Sequence, residues 1–391
     1  MTSLYIHIPF CKKKCNYCDF VSYPGKENLI DDYVEALCRE LKTSPLSCAS
    51  GAIHSPLHEM ERGGTNKVSD GVRTIFFGGG TPTLLEPKHF EKIFKIITPK
   101  FGIRHSAFEI SIEANPGTAN KTKLKELRQL GINRLSIGAQ SFNDQHLKTL
   151  GRIHNSKDIF RFYDDARSVG FENINLDLIF ALPDQNLEDW KKDIKTAISL
   201  NPEHLSTYNL IIEEGTPFWR MTNFETRMMN ELPIPNDELE LAMYEHTIDT
   251  LIENGYHHYE ISNFAKPGFE CKHNINYWKN GNYIGIGAGA HSHVDGKRWS
   301  NPDKIEDYLT TPSSFLPLNK GENVERSETR GGDTLFLGLR MLDGLPIEKF
   351  TGFEKEVKES IQDGLLQQEN GNYKLTRQGL YLGNEVFAKF V

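Results

Sequence analysis

The sequence predicts an α/β protein whose first 216 residues form a partial (β/α)6 barrel. Six short β-rich runs alternate there with amphipathic helical stretches, a pattern typical of βαβ units and a parallel sheet. Several runs end in Gly, Pro or polar residues, as at 78–82 and 113–116. Because the loops after parallel strands carry the chemistry in such folds, we expect the functional residues at these strand ends.

The individual elements follow from residue patterns along the chain. The predicted strands are residues 4–8, 74–77, 108–112, 134–137, 174–180 and 205–210. The predicted helices are residues 29–41, 88–97, 121–130, 157–169 and 187–200. Six such units fit a partial barrel better than the eight units of a closed one.

Breaks in this rhythm predict a long loop and the end of the barrel. Residues 43–73 are rich in Ser, Gly, Pro and His and have little periodicity, which predicts a loop or mobile insertion within the barrel domain, residues 1–216. From Pro217 the alternation weakens, and residues 217–329 are predicted to form an α+β extension. This extension begins with a helix over 237–254 and continues as an irregular, aromatic and glycine-rich stretch over 255–301.

The last 62 residues, 330–391, are predicted to be a small winged-helix-like C-terminal domain. Two helical patterns precede a hairpin signal at 371–376. Such modules usually bind DNA, but this one lacks a dense basic run. A role in packing or partner docking is therefore favoured, and no nucleic-acid partner is expected.

Composition excludes several classes of protein. Hydrophobic residues make up 38% of the 391 residues, with 23 Phe and 14 Tyr, which is enough to bury a core and excludes global disorder. The net charge of −8 gives no global attraction to nucleic acid or anionic lipid. No apolar run reaches the roughly 18–20 residues of a membrane-spanning helix, and no secretory signal is visible. A soluble cytoplasmic protein is expected, with peripheral membrane contact left open.

Three of the six cysteines lie close together directly after the first predicted strand. Cys11, Cys15 and Cys18 fall within eight residues, while the other three are scattered. In a reducing compartment such a cluster indicates a metal before it indicates disulfides. Structural zinc takes four closed ligands, and no fourth Cys or His is near. Three thiolates can instead hold a [4Fe–4S] cluster and leave one iron open to another ligand.

The spacing C-x3-C-x2-C resembles that of the radical S-adenosylmethionine enzymes, in which the open iron chelates the amino and carboxylate groups of S-adenosylmethionine. Gly78, Gly79 and Gly80 follow the second predicted strand. Glycines allow close approach of the backbone, so this segment is expected to leave N–H and C=O groups free for a ligand. By the same resemblance it would hold the methionyl ammonium.

The whole chain resembles the oxygen-independent coproporphyrinogen III oxidase family of radical S-adenosylmethionine proteins. The similarity is carried by the segments 5–11, 78–83, 111–116, 136–142 and 175–183. It implies a partial radical S-adenosylmethionine barrel and a set of residues that contact S-adenosylmethionine. These residues are Tyr5, Gly79, Gly80, Thr81, Glu113, Gln140, Arg152 and Asp177. Within this set, polar groups at strand ends could bind ribose, adenine or the amino acid portion, and Arg152 could pair with the carboxylate.

Two features separate the branches of this family. The oxidases carry a further Cys two residues after the third cluster cysteine, where this chain has Phe20. The segment containing His273, Asn274, Tyr277 and Trp278 has the pattern H-N-x-x-Y-W, which resembles the heme-binding motif of a heme chaperone branch. An imidazole can ligate heme iron, and the two aromatic rings offer flat apolar surface to the macrocycle.

The first hypothesis is therefore a heme chaperone that binds heme, a [4Fe–4S] cluster and S-adenosylmethionine and delivers heme to an apo-hemoprotein. The alternative is an oxygen-independent coproporphyrinogen III oxidase, which removes two propionate carboxylates by radical chemistry. A radical enzyme with another substrate is a third reading, and whether the chain is an enzyme stays open. The axial ligand of the heme is open as well, because His291, after the glycine- and alanine-rich run 285–290, could also serve.

Overall fold

The computed structural model describes residues 2–44, 72–103, 108–222, 233–310 and 331–391. Most of the predicted insertion, residues 45–71, lies outside the described residues. The described strands are β1 (Thr2–Ile8), β2 (Phe10–Cys11), β3 (Tyr23–Pro24), β4 (Val72–Gly79), β5 (Glu109–Ala114), β6 (Arg134–Gln140), β7 (Ile174–Phe180), β8 (His204–Asn209), β9 (His257–Glu260), β10 (Asn263–Ala265), β11 (Asn282–Ile286), β12 (His291–Val294), β13 (Lys297–Ser300), β14 (Leu345–Pro346), β15 (Leu366–Glu369) and β16 (Asn372–Leu375).

Helices occupy most of the connections between these strands. The described α-helices are α1 (Ile30–Thr43), α2 (Pro87–Phe101), α3 (Lys121–Gln129), α4 (Asp144–Thr149), α5 (Ser156–Ser168), α6 (Leu187–Ser199), α7 (Pro217–Thr222), α8 (Asp237–Glu253), α9 (Lys272–Trp278), α10 (Ile305–Thr310), α11 (Gly332–Gly338), α12 (Glu354–Gln362), α13 (Arg377–Tyr381) and α14 (Gly383–Ala388). In the described part of the chain, none of them is both long and apolar enough to cross a membrane.

Eleven of the strands form one sheet in the order β13-β12-β11-β1-β4-β5-β6-β7-β8-β10-β9. The six strands predicted for the barrel, β1 and β4 to β8, are adjacent and parallel. The predicted α/β class is thereby confirmed. Among the described strands, β13 and β9 are the two edges of the sheet and are not paired with each other, so the barrel is partial, as predicted.

The extension contributes strands to both edges of the barrel sheet. β10 pairs antiparallel with β8, and β11 pairs parallel with β1. The sequence predicted an irregular stretch over 255–301, whereas the structure has five strands and a helix there. These strands have only three to five residues, too few for a period-two pattern to be recognised in a segment so rich in glycine. The extension is therefore part of the same sheet as the barrel.

Alternation along the strands separates an apolar layer from a polar interior. Ile6 on β1 and Ile112 on β5 are fully buried in the main hydrophobic core. Their neighbours Tyr5 and Glu113 line the interior instead, as does Asp177 on β7. Successive side chains of a strand point to opposite faces, so one face of each strand packs under the helices and the other faces the barrel interior.

The C-terminal domain has its own hydrophobic core, which includes Leu335, Phe350 and Phe390. Its hairpin pairs β15 with β16 around Asn370 and Gly371, both of which have positive φ angles. An Asn-Gly pair is the residue choice that a tight two-residue hairpin turn requires. A hairpin is thus present as predicted, although its first strand, β15, lies before the predicted range 371–376, and short helices of a winged-helix-like unit flank it.

A buried carboxyl on α1 ties the barrel to the extension. The Glu40 side chain accepts hydrogen bonds from the backbone N–H of Gly287 (3.0 Å), from Asn301 Nδ2 (2.7 Å) and from the Tyr308 hydroxyl (2.6 Å). Burial raises the pKa of Glu40 to about 7, although these donors oppose the shift. All three donors are buried. Among the described residues they donate only to this carboxyl, except that Asn301 also donates to the Gly287 carbonyl.

We expect Glu40→Ala to lower the free energy of unfolding by about 3 kcal/mol or more, because each buried donor left unpaired costs roughly 1–3 kcal/mol. The matched control is Glu35→Ala on the same helix, where an exposed ion pair with Lys92 contributes at most about 1 kcal/mol. Chemical denaturation followed by circular dichroism measures both values. Equal effects of the two substitutions would contradict the role assigned to Glu40.

Candidate functional site

The three clustered cysteines lie on the loop that follows strand β1, as predicted. Cys11 ends β2 and is buried, while Cys15 and Cys18 are partly exposed and joined by a turn, with Cys18 N donating to the Cys15 carbonyl at 3.3 Å. Asn16 anchors the loop, because its amide donates to the Thr149 carbonyl at 2.8 Å. The loop therefore opens at the carboxyl end of the parallel sheet.

The chemistry of this donor set fits an iron–sulfur cluster better than a single metal ion. Among the described residues, no three His, Cys, Asp or Glu side chains converge as the ligands of one ion would. The thiolates that hold a four-iron cluster bind different irons, so such a set does not converge on one point. Soft thiolates are also the ligands that iron–sulfur clusters select.

A hydrogen-bonded network connects the cysteine loop to the ends of the neighbouring strands. Cys11 Sγ lies 3.6 Å from Thr81 Oγ1, which accepts from Asn115 Nδ2 at 2.9 Å. Arg152 donates to Asn115 Oδ1, and its Nη1 lies 3.4 Å from Cys15 Sγ. The guanidinium is thus held beside Cys15, and its planar N–H groups suit a carboxylate.

The glycine segment at the end of β4 packs against the cysteine loop rather than offering free N–H groups. The N–H of Gly79 donates to Glu113 Oε2 at 3.0 Å, and that of Gly80 donates to the Ile8 carbonyl at 2.9 Å. The prediction that these N–H groups are free for a ligand is therefore wrong. Glycine is needed because a Cβ at Gly80 would lie 2.6 Å from the carbonyl oxygen of Phe10.

Two partly buried carboxyls face one small cavity inside the barrel. We call this cavity, of about 200 Å³, the inner cavity. Burial and the nearby Asp177 raise the pKa of Glu113 to about 8. Burial also raises the pKa of Asp177, against hydrogen bonds from Ser136 Oγ (3.1 Å) and Asn175 Nδ2 (2.7 Å). Two carboxyls in such a site do not both ionise easily, so a ligand that brings positive charge and hydroxyl donors would be favoured.

The other predicted S-adenosylmethionine residues lie in the wall of this cavity or in the network beside the cysteine loop. Tyr5 is in its wall, and Gln140 is buried at the end of β6 with an unusual φ of +68°. A Cβ at Gly138 would lie 2.9 Å from Gln140 Nε2 and 3.1 Å from Arg152 Nη2, so the Gln140 side chain reaches the network beside the cysteine loop. The predicted residues thus form one continuous region from the cysteine loop to the inner cavity.

The H-N-x-x-Y-W segment lies in α9, and the side chains of its motif residues have different surroundings. His273 is buried, with Nδ1 2.9 Å from Thr74 Oγ1 and Nε2 2.9 Å from the Tyr277 hydroxyl. Burial and then the nearby charge of Arg134 lower the pKa of His273 to about 3. Both ring nitrogens are therefore already engaged by protein groups.

The remaining residues of the motif are divided between two surroundings. Asn274 and Tyr277 line the inner cavity together with His273. Trp278 does not line the inner cavity and instead packs against Arg340, whose guanidinium lies 4.7 Å from the centre of the Trp278 ring. The motif therefore joins the barrel interior to the C-terminal domain.

A second and wider cavity lies beside the first. We call it the outer cleft; its volume is about 430 Å³, and Tyr5 and Tyr277 form its boundary with the inner cavity. Phe20, His291 and Arg298 also line it. Phe20 is 70% exposed although it lies two residues after Cys18. The cysteine loop thus presents a bare aromatic ring to this cleft.

Sequence reasoning missed two polar residues of the site. Arg134 is fully buried in the wall of the inner cavity, yet at the start of a strand it looks like an ordinary polar end residue. Asn115 links Arg152 to Thr81. Asn115 stands within a segment that carried the family resemblance, and that position was the available signal.

Comparison with known proteins identifies the family of this chain. Residues 5–197 match the model of the Radical SAM superfamily, and residues 327–382 match that of the HemN C-terminal domain. Radical S-adenosylmethionine proteins use a [4Fe–4S] cluster and S-adenosylmethionine. The heme chaperone HemW of Escherichia coli is 40% identical over 100% of this chain and 98% of its own length. The heme chaperone HemW of Bacillus subtilis is 37% identical over 100% and 99%.

Among solved structures, the coproporphyrinogen III oxidase HemN of Escherichia coli is similar in fold. Its TM-score is 0.76, and the match covers 100% of this chain and 89% of that chain at 23% identity. The architecture of a radical S-adenosylmethionine barrel with a HemN-type C-terminal domain is therefore confirmed. At this level of identity the similarity carries the fold alone.

Proposed function

Because the chain belongs to the family of the HemW proteins, within the radical S-adenosylmethionine superfamily, we propose that it is a heme chaperone. It binds heme together with a [4Fe–4S] cluster and S-adenosylmethionine, and it delivers the heme to an acceptor hemoprotein. Full-length relatives named heme chaperones, at 37% and 40% identity, support this reading.

The observation that carries the proposal is Phe20 at the edge of the outer cleft. In the oxidase branch this position would hold a further thiol; here it holds an apolar ring that is 70% exposed. Contiguous apolar surface marks sites for apolar ligands or partners, and Phe20 lines the outer cleft together with Tyr283 and Leu337. A flat macrocycle is such a ligand, so Phe20 favours heme binding over propionate decarboxylation beside the cysteine loop.

The cluster and S-adenosylmethionine are assigned to the region between the cysteine loop and the inner cavity. In this proposal Cys11, Cys15 and Cys18 bind three irons, and Arg152 pairs with the carboxylate of S-adenosylmethionine. Glu113 and Asp177 accept hydrogen bonds from its hydroxyl or ammonium groups. Tyr5, Gly79, Gly80, Thr81 and Gln140 complete the contacts. When bound, the cluster supplies the electron for reductive cleavage of S-adenosylmethionine.

We expect Cys11→Ser, Cys15→Ser and Cys18→Ser each to abolish the visible absorbance of the reconstituted cluster, because a hydroxyl is a poor ligand for its irons. Cys38→Ala, which removes a buried thiol on α1 outside the loop, is the matched control and should keep the absorbance. Absorbance and iron content after anaerobic reconstitution measure the outcome. An intact cluster in any of the three loop variants would contradict the ligand assignment.

We expect the affinity for S-adenosylmethionine to rise with pH and level off near the Glu113 pKa of about 8. Below that pKa the carboxyl is protonated in the free protein, and binding of a sulfonium cation favours its ionised form. Binding therefore releases a proton, which makes affinity increase by at most about tenfold per pH unit until the group is ionised in the free protein.

The measurement is the dissociation constant of S-adenosylmethionine across this pH range, by equilibrium dialysis. Glu113→Gln should remove the part of the slope that belongs to this carboxyl, while Glu126→Gln, an exposed change on α3, should keep it. The difference between the wild-type and Glu113→Gln curves isolates the pH dependence that Glu113 contributes from the pH dependence that titrating groups of S-adenosylmethionine contribute. Parallel curves for wild type and Glu113→Gln would remove Glu113 from the site.

The proposed function itself is tested by an anaerobic heme titration of the cluster-reconstituted protein, followed by absorbance. Saturable, stoichiometric binding is expected, with subsequent transfer of heme to an added apo-hemoprotein. The same preparation should release no CO2 from coproporphyrinogen III in the presence of S-adenosylmethionine and reductant. Absence of saturable heme binding would contradict the proposal, and turnover of coproporphyrinogen would favour the oxidase instead.

A further inference from the structure

The outer cleft contains a histidine ring that no described protein group engages. His291 is exposed at the start of β12 and lines the cleft. In the described ranges, its imidazole has no hydrogen bond, ion pair or ring contact. Both of its nitrogens are therefore accessible to a ligand that enters the cleft, and a neutral imidazole is a ligand of heme iron.

The other histidine of this cleft is fully engaged. His7 Nδ1 lies 3.0 Å from the Tyr5 hydroxyl, and its Nε2 lies 2.8 Å from the Val21 carbonyl oxygen. His273, in the inner cavity, is likewise paired at both nitrogens. Either ring would have to break an internal hydrogen bond before it could bind iron, whereas His291 breaks none.

The positively charged side chain of Arg298 lies on the same face of the hairpin as His291. In the antiparallel pair of β12 and β13, His291 is opposite Ser300 and His293 is opposite Arg298. Residues two apart on a strand share a face with their cross-strand partners, so His291 and Arg298 are diagonal neighbours. Both side chains line the outer cleft.

The Arg298 guanidinium keeps capacity for a carboxylate. Nη2 donates to Asn280 Oδ1 at 2.9 Å and forms an ion pair with Asp333 Oδ2 at 3.4 Å. Nη1 lies 3.4 Å from the Tyr283 hydroxyl. A guanidinium carries five N–H donors, so these contacts leave others to pair with an entering carboxylate.

The walls of the cleft supply the apolar surface that a macrocycle requires. Phe20 comes from the cysteine loop, Tyr277 and Tyr283 come from the extension, and Leu337 comes from α11 of the C-terminal domain. The volume of about 430 Å³ lies within the range of small-molecule sites, roughly 300–1,000 Å³. Apolar walls, one open imidazole and one guanidinium match the three parts of heme: macrocycle, iron and propionates.

We propose that heme binds in the outer cleft, with His291 as the axial ligand of its iron and Arg298 paired to a propionate. This inference rests on the proposed heme chaperone function and specifies where that function takes place. The ring of Phe20 then covers one side of the macrocycle, which places the heme beside the cysteine loop. The H-N-x-x-Y-W motif contributes the wall residue Tyr277. The hydrogen bond between His273 and the Tyr277 hydroxyl holds the Tyr277 ring in position.

The first experiment compares His291→Ala, His273→Ala and the wild-type protein in anaerobic heme titrations, with absorbance and electron paramagnetic resonance of the ferric heme as readouts. We expect His291→Ala to lower the affinity by at least about tenfold, the effect of losing roughly 1.4 kcal/mol of binding free energy. Its spectrum should lose the imidazole signature, and added imidazole should restore it. The control His257→Ala changes an exposed histidine on β9, at the far edge of the sheet, and should behave as wild type.

The outcomes separate this inference from the proposed function. Wild-type heme binding with an unchanged spectrum and affinity in His291→Ala overturns the ligand assignment and leaves the chaperone function standing. Loss of the imidazole signature in His273→Ala, with His291→Ala unaffected, assigns the ligand to His273 and also overturns it. A wild-type protein that binds no heme refutes both. The cluster absorbance of every variant, measured in the same sample, shows that the barrel is intact.

The second experiment tests Arg298 with heme and with heme whose propionates are methyl esters. Arg298→Gln should bind heme about tenfold more weakly, because a charge-assisted hydrogen bond is lost, and should bind the diester as wild type does. Lys297→Gln removes the same charge from the adjacent, exposed position outside the cleft and serves as the control. An equal loss of affinity for heme and for the diester would remove Arg298 from propionate binding.

Discussion

The parallel pairing of β1 with β4 on one side and β11 on the other brings the cysteine loop, the glycine segment and the extension together. β1 leads directly into the cysteine loop, and its residues Tyr5 and His7 face the cavities. β4 brings the glycine segment against that loop, and β11 brings the extension to the opposite side. Because the ladder is buried on both faces, a shift of one residue would turn Tyr5 out of the interior.

Polar side chains concentrate in the barrel interior, and hydrogen bonds offset part of the free-energy cost of burying them. Glu113 accepts from Gly79, and Asp177 accepts from Ser136 and Asn175. Even so, burial raises the pKa of both carboxyls. A site that holds carboxyls against their ionisation is arranged for a ligand rather than for stability, because apolar residues would fill the same space at lower cost.

The histidines of the two cavities show how surroundings decide the chemistry of identical side chains. His273 belongs to the motif that resembles a heme-binding segment, yet its ring is buried and hydrogen-bonded on both sides. His291 lies in a less distinctive sequence, but its ring is exposed in a cleft next to Phe20 and Arg298. A motif therefore locates a region, while solvent access and hydrogen-bond partners determine which imidazole can bind iron.

The sequence by itself determined the six parallel strands, the cysteine loop after β1, the helix at 237–253 and the C-terminal hairpin. These features depend on local signals: hydrophobic periodicity, the spacing of three thiols and the hairpin signal at 371–376. The tertiary structure alone decided that β11 pairs with β1, that the Gly80 N–H is used internally, and that Arg134 and Asn115 belong to the site. Such contacts join residues far apart in the chain, so no local pattern records them, and only the packed fold determines which polar groups are left free.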